Sequence, residues 1–229
     1  SEPVKAATAS YTGTFEVTRR LASQGDVTAA KGASYDEGKG KVKVAPTAGE
    51  VLAAAKALGA SEPHGALVAV MGKVSAMKVT DDGSAAESEV LSGQPASPYG
   101  ATRAASLLLN ASAVPAAVKQ GYQSAKVPHV VNKSHAWLQV EMPRLGWVPV
   151  DVVMRRAHAA KLEADDPLYF GLVPPDRAEM VVGDSVSIPE TKGINPELKL
   201  EGVLAAPFAV KDGARVGKVS WKASFEALK

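Results

Sequence analysis

Two stretches with a two-residue period lie almost back to back: SHAWLQVEM (134–142) and GWVPVDVV (146–153), joined by a turn around PRLG. A link this short permits only an antiparallel hairpin, since parallel strands need a long crossover. His135, Trp137, Gln139 and Glu141 share one face of the first strand, and Trp147, Pro149 and Asp151 share one face of the second. If the two faces coincide, a register pairing Gln139 with Trp147 and Trp137 with Pro149 sets His135 opposite Asp151. A slip of one residue would send the two to opposite faces of the sheet. Pro149 has no N–H, so it must sit where the ladder does not need one. A histidine oriented by an aspartate is the base half of a nucleophilic triad.

The third member of such a triad belongs at the N-terminal end of a helix, where unpaired N–H groups and the helix dipole favour an anion. Residues 97–122, SPYGATRAASLLLNASAVPAAVKQGY, offer that place: a glycine turn, an apolar helix starting near Gly100 or Ala101, and a strand over 116–123. Leu107, Leu108, Leu109 and Ala104 or Ala105 can bury the helix, and Pro115 bars its continuation. The residue at the position of the nucleophile is Thr102. The chain has no cysteine, which excludes disulfides, thiolate metal sites and thiol catalysis.

The chain ahead of this helix divides by its punctuation. YTGTFEV (11–17) and KVKVAP (41–46) read as strands. TAGEVLAAAKALG (47–59) is a helix, with Thr47 and Glu50 at capping-box spacing, Val51, Leu52, Ala55 and Leu58 as the buried stripe, and Gly59 closing it. SEPHGALVAVMGKVSAMKV (61–79) follows the same plan. Ser61 is the expected cap, Pro63 stands in the first turn, and Leu67, Val70, Met71, Val74 and Met77 lie on one face. Gly72 suggests close packing there, since glycine costs a helix about 1 kcal/mol against alanine. Residues 81–100 read as loop with a short helix near Glu87–Leu91. Alanine and valine dominate the apolar residues and aromatics are only 5 % of the chain, so the helices should be slim and closely packed.

Other chemistry finds little support. Net charge is +2 with both signs interspersed and no long basic run, so nucleic acid is not an expected partner. His64, His129 and His158 lack metal-ligand spacing and suit surface or cap roles, so neither metal nor cofactor is expected. No phosphate loop, GxSxG elbow or HExxH is present. Asn110 and Asn132 fit glycosylation acceptors, but the helical position of Asn110 argues against its use.

The region from about Glu50 onward resembles a transglutaminase-like domain of the papain-like superfamily, of bacterial type. Members carry glycine, any residue, cysteine, arginine, acid, aromatic at the helix start; here Gly100, Ala101, Thr102, Arg103, Ala104 and Ala105 stand there. Val114-Pro115-Ala116 and Gly121-Tyr122 resemble the step into, and the end of, the following strand. His135-Ala136-Trp137 and Gly146-Trp147-Val148-Pro149-Val150-Asp151 match the histidine and aspartate motifs. Tyr169-Phe170-Gly171 and Pro175-Asp176-Arg177 are similar to bacterial, often exported or membrane-linked, members.

The resemblance implies an α+β fold of the papain-like kind: a helical lobe (about 47–113) packed on an antiparallel sheet (about 116–226). A short N-terminal β segment (1–46) would precede a transglutaminase-like domain (47–229). It implies Thr102, His135 and Asp151 as a relic triad, with Tyr99, Gly100, Arg103 and Trp137 as ligand-binding residues. Loss of the cysteine together with the acid and the aromatic points to natural decay of the site. Three readings stay open: a silent domain that binds protein, peptide or cell-envelope material; an unusual hydrolase or acyltransferase using Thr102; or an assembly domain whose old cleft is filled by side chains. Trp137 and Trp147 are expected in the core. A periplasmic or extracellular location is implied, with membrane association through a segment outside this chain.

Overall fold

The computed structural model describes residues 49–59, 62–123, 129–131, 134–162, 166, 168–173, 177–182, 185–188, 198–201, 209–211, 214–216 and 223–225. The strands expected within 1–46, the Thr47 half of the first capping pair and Asn132 lie outside these residues.

Among the described residues four helices precede the sheet. The first, α1 (Gly49–Ala57), ends at Gly59, whose φ of +65° is the left-handed conformation glycine takes without a Cβ clash. The second, α2 (Pro63–Ala76), starts on Glu62 rather than Ser61. The Glu62 carboxylate folds back to accept from the N–H groups of His64 (3.2 Å) and Gly65 (2.6 Å), and Ser61 lies outside the described residues. Leu67, Val70, Met71 and Val74 are buried as the periodicity requires. Gly72 corrects the packing expectation: a Cβ there would meet nothing within 4 Å.

Residues 79–100 are more regular than the sequence suggests. A strand, β1 (Val79–Ser84), precedes α3 (Glu87–Leu91), which falls where expected. The segment 95–97 bonds to both ends of β1, through Ala96 N–H to the Lys78 carbonyl, and through Ser84 N–H to Pro95 and Ser97 N–H to Ser84, all at 2.8 Å. No alternation of apolar residues marks VTDDGS, because β1 is held by these backbone bonds and not by a buried face.

The next helix, α4 (Pro98–Ala111), is the spine of the molecule. Ser97 caps it, its Oγ accepting from Gly100 N–H at 2.9 Å, and Pro98 takes the first helical position. It therefore begins two residues before Gly100, and Thr102 stands in its second turn. Ala101, Ala104, Ala105, Leu108 and Leu109 are all fully buried, and the helix packs on the other helices as well as on the sheet. Past Ser112 the helix closes in a Schellman motif. Val114 N–H bonds to the Leu109 carbonyl and Ala113 N–H to that of Asn110, with Ala113 left-handed at φ +59°. The Asn110 side chain then pairs with the Ala116 backbone in both directions, at 2.9 and 3.0 Å, and so fastens helix to strand.

The sheet holds β2 (Ala116–Gln123), β4 (His135–Met142), β5 (Gly146–Val150) and β6 (Arg177–Val182) in the order β5-β4-β2-β6, antiparallel throughout. The predicted hairpin forms, but its register differs by two. Gln139 pairs with Pro149 and Glu141 with Trp147. The turn explains this. Leu145 N–H bonds to the Met142 carbonyl, with Pro143 second and Arg144 third at φ +68°, a type II turn. It centres the hairpin on Arg144, one residue later than assumed; moving the centre by one shifts the register by two and leaves every side chain on its predicted face. Ala136, Leu138, Val140 and Met142 point to the core beneath the helices. Fully burying side chains of this size contributes about 1.5–3 kcal/mol each.

The second strand of the hairpin stops at Val150. Residues 151–153, expected as strand, instead start α5 (Val152–Ala157), followed by a 3-10 turn (Ala159–Lys161). Among the described residues the other strands of the expected sheet lie in pairs: β3 (His129–Val131) with β11 (Ala223–Phe225), β7 (Ser185–Ile188) with β8 (Leu198–Glu201), and β9 (Ala209–Lys211) with β10 (Ala214–Val216). The fold is α+β, helices on an antiparallel sheet, as expected. Among the described residues no helix is long and apolar enough to cross a membrane.

Candidate functional site

Asp151 leaves β5 and caps α5, its Oδ1 accepting from Met154 N–H at 2.9 Å. Its own N–H bonds to the Tyr169 carbonyl at 2.9 Å. That conformation turns Oδ2 toward β4, where the His135 ring donates to it from Nε2 at 2.6 Å. His135 and Asp151 thus meet as the shared face requires, although the ladder does not set them opposite. The turn of the chain at Asp151 makes up the two-residue difference.

A third side chain joins them. Arg177, the first residue of β6, donates from Nη2 to the same Oδ2 at 2.6 Å, and both its side chain and that of Asp151 are 0 % exposed. The guanidinium lies 6.0 Å from the Trp137 ring and 5.8 Å from the Tyr169 ring. Burial by itself would raise the Asp151 carboxyl. The His135 hydrogen bond and charge, the Arg177 charge and the Met154 N–H outweigh it and hold the group below the ordinary carboxylate range. Sequence reasoning noticed Arg177 only within a motif near the chain's second half. A lone arginine opening a strand carries no periodic signal of burial.

Thr102 is fully buried. Its hydroxyl lies 3.0 Å from the Pro98 carbonyl, four residues back in the same helix, and 3.4 Å from the Ala136 carbonyl. The second contact puts the side chain beside the backbone next to His135, so α4 does abut β4 at the predicted point. The hydroxyl proton, however, faces backbone carbonyls; among the described residues Thr102 makes no hydrogen bond to the His135 ring. The foremost helix N–H groups are also engaged, Gly100 by Ser97 Oγ and Ala101 by the Ser97 carbonyl at 2.9 Å.

The residues expected to hold a ligand fall as follows. Tyr99 and Gly100 are buried, and a Cβ on Gly100 would come within 2.1 Å of the Ser84 carbonyl oxygen, so glycine is required by the crossing of β1 over the helix start. Arg103 Nε lies 3.3 Å from Glu87 Oε2, tying α4 to α3. Trp137 is buried on the sheet face away from the main core, its ring stacked on His135 at 6.1 Å. Trp147, expected in the core, is instead 49 % exposed, next to the turn that opens β5. Ala104 and Ala105, at the places of the acid and the aromatic, are fully buried.

The remaining histidines serve the fold. His64 sits at the start of α2 with its ring edge-on to Phe170, and His158 ends α5 with Nδ1 2.9 Å from the Met154 carbonyl. Among the described residues no cluster of three or more histidine, cysteine, aspartate or glutamate side chains could hold a metal ion. An open groove of about 770 Å³ lies along β1, lined by residues including Lys78, Thr80, Asp82 and Glu89, and Thr102, His135, Asp151 and Arg177 are not in its lining.

Residues 52–152 match the family model of the transglutaminase-like superfamily, so the chain carries a domain of that superfamily over this span. The span includes Thr102, His135 and Asp151 and stops short of Arg177. No curated protein and no solved structure matches the chain.

Proposed function

We propose that this transglutaminase-like domain is catalytically silent and acts as a scaffolding and binding module. The observation that carries the reading is the Thr102 hydroxyl, fully buried and directed at the Pro98 and Ala136 carbonyls. Nucleophilic attack needs an oxygen that reaches the substrate and a base that takes its proton as the bond forms. A backbone carbonyl is no such base. An aliphatic hydroxyl ionises far above a thiol, and threonine's branched Cβ stiffens the rotation that would turn it toward His135.

His135 and Asp151 have a use without catalysis. Together with Arg177 they satisfy buried polar groups and cross-link β4, the β5–α5 junction and β6. Such a module would present its surface to protein, peptide or cell-envelope material outside the cytoplasm, a setting suggested by the likeness of Tyr169-Phe170-Gly171 to exported bacterial members. The active alternative, Thr102 as nucleophile with His135 as base, is supported by the contact of Thr102 with Ala136, next to His135, and by the His135–Asp151 pair.

Intact-mass spectrometry after exposure to acyl-type probes tests the proposal. The native chain should remain unmodified at Thr102 and show no amide or ester turnover above buffer. An acyl adduct on Thr102, abolished in Thr102→Val, would overturn it.

A further inference from the structure

The four-stranded sheet is open, and the two side chains of its buried ion pair come from opposite edges. Asp151 follows β5 on one edge, and Arg177 opens β6 on the other. Three inter-strand steps separate those edges, about 14 Å in a flat sheet. An arginine and an aspartate side chain do not span that gap together with ease. The 2.6 Å contact therefore joins the two edges across β4 and β2, with the turn of the chain at Asp151 carrying the carboxylate toward β4. The register shift between Gln120 and Gly121 in the β2–β6 ladder supplies a local bend in that region.

The Arg177 guanidinium is permanently charged, planar and out of water, between the rings of Trp137 and Tyr169. His135, half-buried at the other side of Oδ2, makes the second contact from β4. Met154 N–H holds Oδ1 from α5. Among the described residues, the charged and titratable groups at the carboxylate are Arg177 and His135, with Tyr169 beside the guanidinium.

We infer that Arg177 is a strap that closes the sheet by fastening the β6 edge to the β5 edge through Asp151, and that this arginine, not His135, is the main counter-charge of the carboxylate. The relic site thereby becomes the point where the second half of the chain is locked to the helical half. The inference does not depend on catalytic silence: an acylated Thr102 would overturn the proposed function and leave the strap untouched.

The test compares urea unfolding and amide hydrogen exchange of the parent, Arg177→Met, His135→Gln and the double variant Arg177→Met/Asp151→Asn. Arg177→Met, which leaves a buried carboxylate without its guanidinium, should lower the folded-to-unfolded ratio on the order of 10²–10³-fold. It should also lose exchange protection in β6 while α2 and α4 keep theirs. His135→Gln should cost markedly less. The double variant, freed of the orphaned charge, should be more stable than Arg177→Met and keeps the test decisive if that single variant does not fold. The inference is overturned by Arg177→Met unfolding within about twofold of the parent, by His135→Gln proving the more damaging, or by a double variant no better than the single.

Discussion

Replacing Asp151 with asparagine separates the charge of this residue from its role as a helix cap. Asparagine caps as well as aspartate, and its Oδ1 can still accept from Met154 N–H, so α5 keeps its start. What changes is the other end of the side chain. An NH2 would face two donors, Arg177 Nη2 and His135 Nε2, each 2.6 Å from the present oxygen. Arg177, fully buried, would lose its counter-charge, and breaking one partner of a buried pair costs about 3–5 kcal/mol. For a chain of this size that corresponds to a fall in Tm of about 6–20 °C. Thermal and urea unfolding at pH 7, followed by circular dichroism and tryptophan fluorescence, measure it. A loss below about 1 kcal/mol would refute the reasoning, since it would mean the carboxylate is not charge-paired where the geometry puts it. The pH dependence gives a second check. The native-state carboxyl titrates below its ordinary value of 3.8, so its contribution is complete above that value and disappears as pH falls through the lower native one. The stability gap between parent and Asp151→Asn should therefore narrow below pH 3.8 and vanish in stronger acid.

Three further substitutions probe the frame around the site by the same unfolding measurements. Gly72→Ala should stabilise α2 by about 1 kcal/mol, because the new methyl meets open space in an ordinary helical conformation; a loss of stability would mean the helix surface is covered. Gly100→Ala should destabilise by about 3 kcal/mol or more, since its Cβ would fall 2.1 Å from backbone oxygen of Ser84 that cannot rotate aside. Asn110→Ala should cost about 2 kcal/mol through the two hydrogen bonds to Ala116, with increased hydrogen exchange at the start of β2.

Much of the frame was legible because it rests on period and punctuation. The β2 limits, the short helix at Glu87–Leu91, the apolar faces of α2 and α4 and the common face of β4 and β5 all follow from spacing of apolar residues. Where expectation failed, a local bond outcompeted a general preference. Glu62, not the expected Ser61, reached back to cap α2, and Ser97 with Pro98 started α4 earlier than the glycine suggested. The type II turn at Pro143-Arg144 moved the hairpin centre, and Asp151 turned from strand residue to helix cap. The site was legible in part for the same reason. Parity fixed which face His135 and Asp151 share, but no sequence pattern announces that Arg177, distant in the chain and across the sheet, completes their polar cluster. Nor does sequence reveal that a threonine hydroxyl will bond back to its own helix, a contact decided by rotamer and burial alone.

The account rests on the Thr102 hydroxyl serving the helix and not the imidazole, and the His135 ring itself reports on this. Its titration, followed by NMR in the native chain and in Thr102→Val, isolates any bond between the two side chains. Superimposable curves with unchanged ring-nitrogen shifts are expected. A displacement of the His135 midpoint by about 0.5 pH unit or more on removing the hydroxyl would show the two groups coupled and contradict the account.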